Sequence, residues 1–123
     1  MPLRSLVPFV HVADLAVSIS FYEKLGFQVR NTWTHPASDR PTWAWLQCDG
    51  AHLMIARASG PIVPDEQAVF FYLYVDDVAA THAQLRGAGI EAGEITYAFY
   101  APRGEFRVAD PDGYGLMITH AGQ

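Results

Sequence analysis

The side chains able to do acid–base or metal chemistry are few and scattered. Histidine occurs at 11, 35, 52, 82 and 120, and cysteine only at 48. A lone cysteine leaves no intrachain disulfide and no cysteine-based zinc site, and Cys48 is read as a small apolar filler. No glycine-rich phosphate loop is present, and no Ser–His–Asp or Cys–His set has a spacing that implies catalysis. His11 and Glu105 are of types suited to general acid–base work, although nothing in their spacing requires it. Aromatic rings are more prominent. Phe9, Phe70, Tyr72, Tyr74 and Trp43, with the thioethers of Met54 and Met117, are the groups from which a site would be built. Rings stack on flat organic molecules, and methionine adapts to irregular ones. Such a set binds rather than cuts.

The elements that must position these residues follow from an internal repeat. Shifting the chain by 63 positions lays Val12 on Val75, Asp14 on Asp77, Ala16 on Ala79 and Gly26 on Gly89. It also lays Arg40 on Arg103, Asp49-Gly50 on Asp112-Gly113, and Leu53-Met54-Ile55 on Leu116-Met117-Ile118. Two modules, 1–60 and 64–123, are therefore expected within a single domain of 123 residues. Gly60-Pro61 and Pro64-Asp65 punctuate the join.

Each module reads as βαβββ. A short β-branched run (6–12, then 69–75) precedes an aspartate placed to cap a helix, Asp14 and then Asp77. Leu15, Ile19 and Tyr22 follow at helical spacing, and Gly26 and Gly89 stop the two helices. Three strands come next, over 28–34, 42–48 and 51–57, and again over 93–98, 104–109 and 114–119. Asp49-Gly50 and Asp110-Pro111-Asp112-Gly113 supply the last turns. The fold class is α+β, with eight strands forming a cup-shaped mixed sheet.

Strand alternation selects the residues that line the cup. Phe9, His11, Phe70, Tyr72 and Tyr74 come from the first strands, and His52, Met54 and Met117 from the last. A second aromatic group comprises Trp33, His35, Trp43 and Trp45, with Tyr97, Phe99 and Tyr100 in the second module. One of Trp43 and Trp45 is expected to face inward and the other to pack on a helix. Arg107 is placed either inward, toward an anionic group, or on the surface. His82 is expected on the surface and His120 at a fraying terminus.

Composition closes off other classes. Half the residues are hydrophobic and 17 % are charged, so the chain can bury a core. The net charge of −5 argues against nucleic acid, which needs a basic face. No apolar run approaches the ~20 residues of a membrane span. No long apolar stretch follows Met1-Pro2-Leu3-Arg4-Ser5, so a signal peptide is not expected and the cytoplasm is.

The segments Val12-Ala13-Asp14-Leu15, Phe21-Tyr22-Glu23-Lys24-Leu25-Gly26-Phe27, Val75-Asp76-Asp77-Val78 and Asp110-Pro111-Asp112-Gly113 resemble the vicinal oxygen chelate superfamily. That superfamily includes glyoxalase I, extradiol dioxygenases and the fosfomycin and bleomycin resistance proteins. Val7-Pro8, Val63-Pro64-Asp65 and Arg103-Gly104-Glu105-Phe106 are most similar to the bleomycin resistance proteins. The resemblance implies metal ligands seven residues before each capping aspartate and seven after Asp110. Those positions, with the repeat partner of the last, hold Val7, Phe70, Met117 and Met54, none of them a hard-metal donor. It therefore implies a metal-free and cofactor-free homodimer that sequesters an aromatic ligand, a bleomycin-like antibiotic among the candidates. The alternative is a metal-dependent glyoxalase-type lyase or isomerase, or a dioxygenase.

Overall fold

The computed structural model describes residues 2–122. Its contacts divide the chain into two units, Met1–Ile62 and Val63–Gln123. The first unit contains β1 (Phe9–Val12), α1 (Leu15–Lys24), β2 (Gln28–Trp33), β3 (Trp43–Cys48) and β4 (Ala51–Arg57). These strands form one sheet in the order β1-β4-β3-β2, with β1 parallel to β4 and the other pairs antiparallel. β1 begins at Phe9, later than the sequence predicts. Pro8 has no N–H to offer the ladder, although its carbonyl accepts from the Met54 N–H at 2.9 Å. Val7 thus lies outside the regular strand.

Alternation then decides what is buried. Val10 and Val12 on β1, Ala44 and Leu46 on β3, and Leu53 and Ile55 on β4 turn to one face and are buried there. Leu15, Ser18 and Tyr22 of α1 are buried with them. Each large apolar side chain so removed from water contributes about 1.5–3 kcal/mol.

The second unit opens with a single 3₁₀ turn at Pro64–Glu66. It continues with β5 (Phe70–Val75), α2 (Val78–Gly87), β6 (Glu105–Ala109) and β7 (Gly115–His120). The sheet order is β5-β7-β6, with β5 parallel to β7 and β6 antiparallel to it. Seven strands therefore form among the described residues, rather than eight. The missing one is 93–98. That segment runs beside β6 and makes one bridge, Thr96 with Glu105, plus a bond from the Gly93 N–H to the Arg107 carbonyl at 2.9 Å. Glu91-Ala92-Gly93-Glu94 has little of the β-branched character that holds a strand flat.

The helices are capped alike. Asp14 accepts from the Val17 N–H and Asp77 from the Ala80 N–H. At the other ends Gly26 (φ +102°) and Gly89 (φ +85°) adopt the left-handed conformation. The following Phe27 and Ile90 N–H groups bond back to the Tyr22 and Leu85 carbonyls. The Asp110–Gly113 turn closes on itself, because Asp110 Oδ1 accepts from the Asp112 and Tyr114 N–H groups at 2.9 and 2.8 Å. Among the described residues no helix is long and apolar enough to cross a membrane.

Candidate functional site

In each unit one sheet face carries the core and the other carries the candidate site. In the first unit register places Phe9 beside Met54 and His11 beside Ala56. It also places Trp45 beside Met54, Trp43 beside Ala56, and Trp33 beside Trp43. Trp43 and Trp45 therefore share the open face. The expectation that one of them packs on a helix is corrected. Residues two apart on a strand point the same way, and the helix-facing positions of β3 are Ala44 and Leu46.

A concavity of about 330 Å³ lies at the end of this face, lined by Phe9, Trp33, His35, Trp43, Ala56 and others. That is the lower end of the range for small-molecule sites. His35 builds its rim. The His35 N–H donates to Thr42 Oγ1 at 3.1 Å, and His35 Nδ1 accepts from the Ala37 N–H at 3.0 Å. Farther along, the Trp45 indole N–H donates to His52 Nδ1 at 3.0 Å. Neutral His52 is thereby held with its proton on Nε2, a donor available to a partner. The ring of His11 lies 5.4 Å from that of Phe9.

In the second unit Phe70, Tyr72 and Tyr74 stand along the open face of β5 and remain about half or more exposed, at 45 %, 48 % and 67 %. Met117 lies between Tyr72 and Arg107 in the register, and Gly115 between Phe70 and Ala109. Gly115 has a specific use. A Cβ there would come within 2.7 Å of the Phe70 ring, so the ring lies down over the glycine. Arg107 turns to this same face, its guanidinium carbon 4.5 Å from the centre of the Phe70 ring. Arg107 thus lies exposed on the sheet face, held there by a cation–π contact.

Glu105 is the residue whose surroundings alternation did not anticipate. It follows the row of Tyr74 and Thr119 onto the open face, yet it is only 3 % exposed. The Tyr100 phenol donates to its Oε2 at 3.2 Å. That bond, followed by the carboxylate charge, holds the Tyr100 hydroxyl above its ordinary value of 10.0.

One histidine departs from expectation. His82 is half-buried rather than at the surface, its ring edge-on to buried Phe106 at 4.9 Å and its Nε2 2.9 Å from the Gly93 carbonyl. His120 closes β7 opposite Val75, and the next N–H bonds to the Val75 carbonyl.

The donors present do not fit a hard divalent ion. Met54 stands beside Phe9 and Trp45, and Met117 beside Tyr72 and Arg107. Among the described residues no three His, Cys, Asp or Glu side chains gather as a ligand set.

Comparison with known proteins places this geometry. The family described as Glyoxalase/Bleomycin resistance protein/Dioxygenase superfamily matches residues 6–118. The bleomycin resistance determinant encoded on the transposon Tn5 aligns with a TM-score of 0.78 at 20 % identity, over 98 % of this chain and 100 % of that one. A bleomycin-binding protein complexed with bleomycin aligns with a TM-score of 0.74 at 21 % identity, over 96 % and 98 %. TnmS3, an antibiotic binding protein from Streptomyces sp. CB03234, aligns with a TM-score of 0.74 at 20 % identity, over 98 % of each chain. At such identities the likeness is one of fold. No curated protein sequence matches the chain.

Proposed function

Because the chain belongs to the Glyoxalase/Bleomycin resistance protein/Dioxygenase superfamily, we propose that it is a binding member, sequestering a flat, largely apolar organic molecule without metal or cofactor. The observation that supports this reading is the open face of each sheet, ring-lined where hard donors would stand for metal chemistry. The ligand-binding residues are Phe9, His11, Trp43, His52 and Met54 in the first unit, and Phe70, Tyr72, Tyr74, Arg107 and Met117 in the second. An antibiotic of the bleomycin kind fits this description, as do other aromatic natural products. The protein acts in the cytoplasm as a C₂ homodimer, the usual assembly for a self-complementary face.

Metal analysis of the purified protein, paired with thermal melting in the presence of divalent ions and of bleomycin, tests the reading. Little bound metal and a melting point raised by an aromatic antibiotic are expected. At about 100 times Kd the ligand adds about 2.7 kcal/mol of stability. Stoichiometric iron, manganese, nickel or zinc with a stabilising ion response would overturn the proposal in favour of glyoxalase-type chemistry.

A further inference from the structure

We infer that Glu105 is a cation anchor, a specificity-determining residue that selects aromatic ligands bearing a protonated amine or guanidine. The inference rests on the ligand-binding reading and names the chemical class that the second unit prefers.

The Glu105 carboxylate is incomplete. A carboxylate offers about four acceptor positions. Here Oε2 receives one bond, from the neutral phenol of Tyr100, and the buried Oε1 has no partner among the described residues. Buried carboxylates are ordinarily matched by a cation or by several N–H donors. Among the described residues neither hydrogen-bonds Oε1 of this one. Arg86 and Glu94, both exposed, pair with each other. Arg107 is two residues along the same strand, but its guanidinium is engaged over Phe70. No cationic side chain among the described residues hydrogen-bonds the buried Oε1.

The surroundings suit a cation that arrives on a ring. Tyr74 shares the register row of Glu105, and its ring centre lies 6.4 Å from that of Tyr72. Phe99 packs edge-on to Tyr100 at 5.3 Å and is 94 % exposed. Exposed rings beside a carboxylate offer a ligand stacking for its flat part and both cation–π and charge-assisted bonds for its ammonium. Tyr100 is 57 % exposed, so its phenol can turn aside as the ammonium takes its place. The chain's net charge of −5 draws cations toward it in general, and Glu105 makes that attraction local.

Isothermal titration of the whole protein with three indoles of matched size tests this. Tryptamine is cationic, tryptophol neutral and indole-3-propionate anionic. The wild type is expected to bind tryptamine at least tenfold more tightly than tryptophol, with the anion weakest. Glu105→Gln is expected to bring tryptamine to the level of tryptophol and to leave tryptophol unchanged. Glu94→Gln, an equal change of net charge at an exposed site, is expected to leave the preference intact. Equal binding of tryptamine and tryptophol by the wild type would overturn the inference while sparing the binding reading. So would an equal loss of preference in Glu94→Gln. If none of the three bound at millimolar concentration, the binding reading would fall as well. Should Glu105→Gln not fold, the wild-type series and Glu94→Gln decide between these outcomes.

Discussion

At the scale of single residues, two hydrogen bonds set what the open faces can offer. The Trp45 indole holds His52 in one tautomer, leaving Nε2–H as a donor. Trp45→Phe removes that bond and is expected to cost about 1 kcal/mol in denaturant unfolding, the net worth of an ordinary side-chain hydrogen bond. ¹⁵N spectra of the wild type should show His52 as the Nε2–H form, and the variant should show a tautomer mixture. The second bond joins Tyr100 to Glu105 and raises the phenol's pKa above 10.0. A raised folded pKa favours the neutral phenol, so its contribution to stability is present below the unfolded value and is lost as pH rises through the folded one. The Tyr100 ring followed by NMR is expected to titrate above 10.0 in the wild type. In Glu105→Gln it is expected to titrate closer to the ordinary value; no difference between the two would refute the coupling. These residues differ in how far sequence exposes them. Alternation identified the faces of His52 and Tyr72, because side-chain direction on a strand is a period of two. It could not decide the surroundings of Arg107 or Glu105. The first depends on a ring laid flat over Gly115, and the second on a phenol brought back by the 97–104 loop.

The elements obey local rules more closely, and those rules were legible. Asp14 and Asp77 cap their helices through the third residue onward, at 3.2 and 2.9 Å. Asp77→Ala and Asp14→Ala are each expected to cost about 1 kcal/mol, measured by urea unfolding, since one orphan N–H loses its acceptor. Losses under a few tenths would mean that water replaces the cap freely. The Asp110–Gly113 turn is less forgiving. Gly113 has φ +87°, and a Cβ there would stand 2.5 Å from the Pro64 carbonyl oxygen. Gly113→Ala is therefore expected to lose more than about 2 kcal/mol, the strain of a non-glycine residue in that region plus a backbone clash. The motif was readable as a turn. Its tightness was not, because it depends on a proline distant in the chain. The stretch 93–98 failed as a strand for the converse reason. Its alternation is plausible, but its glycine, its glutamate and its alanine do not sustain a ladder beyond Thr96.

At the scale of the whole molecule, each unit leaves aromatic surface uncovered. Phe9 and Trp33 are 48 % and 54 % exposed in the first, and Tyr97 and Phe99 are 70 % and 94 % exposed in the second. Exposed apolar groups concentrated in this way mark interaction sites. Sedimentation equilibrium is expected to report a species of twice the 13.6 kDa chain mass. A monomer persisting at tens of micromolar would remove the homodimer from the proposal. Ten matched residues made the βαβββ course of the first unit legible, and that of the second except for the strand at 93–98, which does not form, whereas assembly is written in exposure, which a single sequence does not display. The aromatic residues have one more consequence, for how the protein can be watched. All three tryptophans, Trp33, Trp43 and Trp45, belong to the first unit, and five of the six tyrosines to the second. Indole emission excited at the red edge of its band therefore reports on one half alone. Tyrosine dichroism reports mainly on the other. Melting curves recorded by the two signals will coincide if the halves unfold as one cooperative body and part if they do not. The chain carries an intrinsic label for each half without any being added.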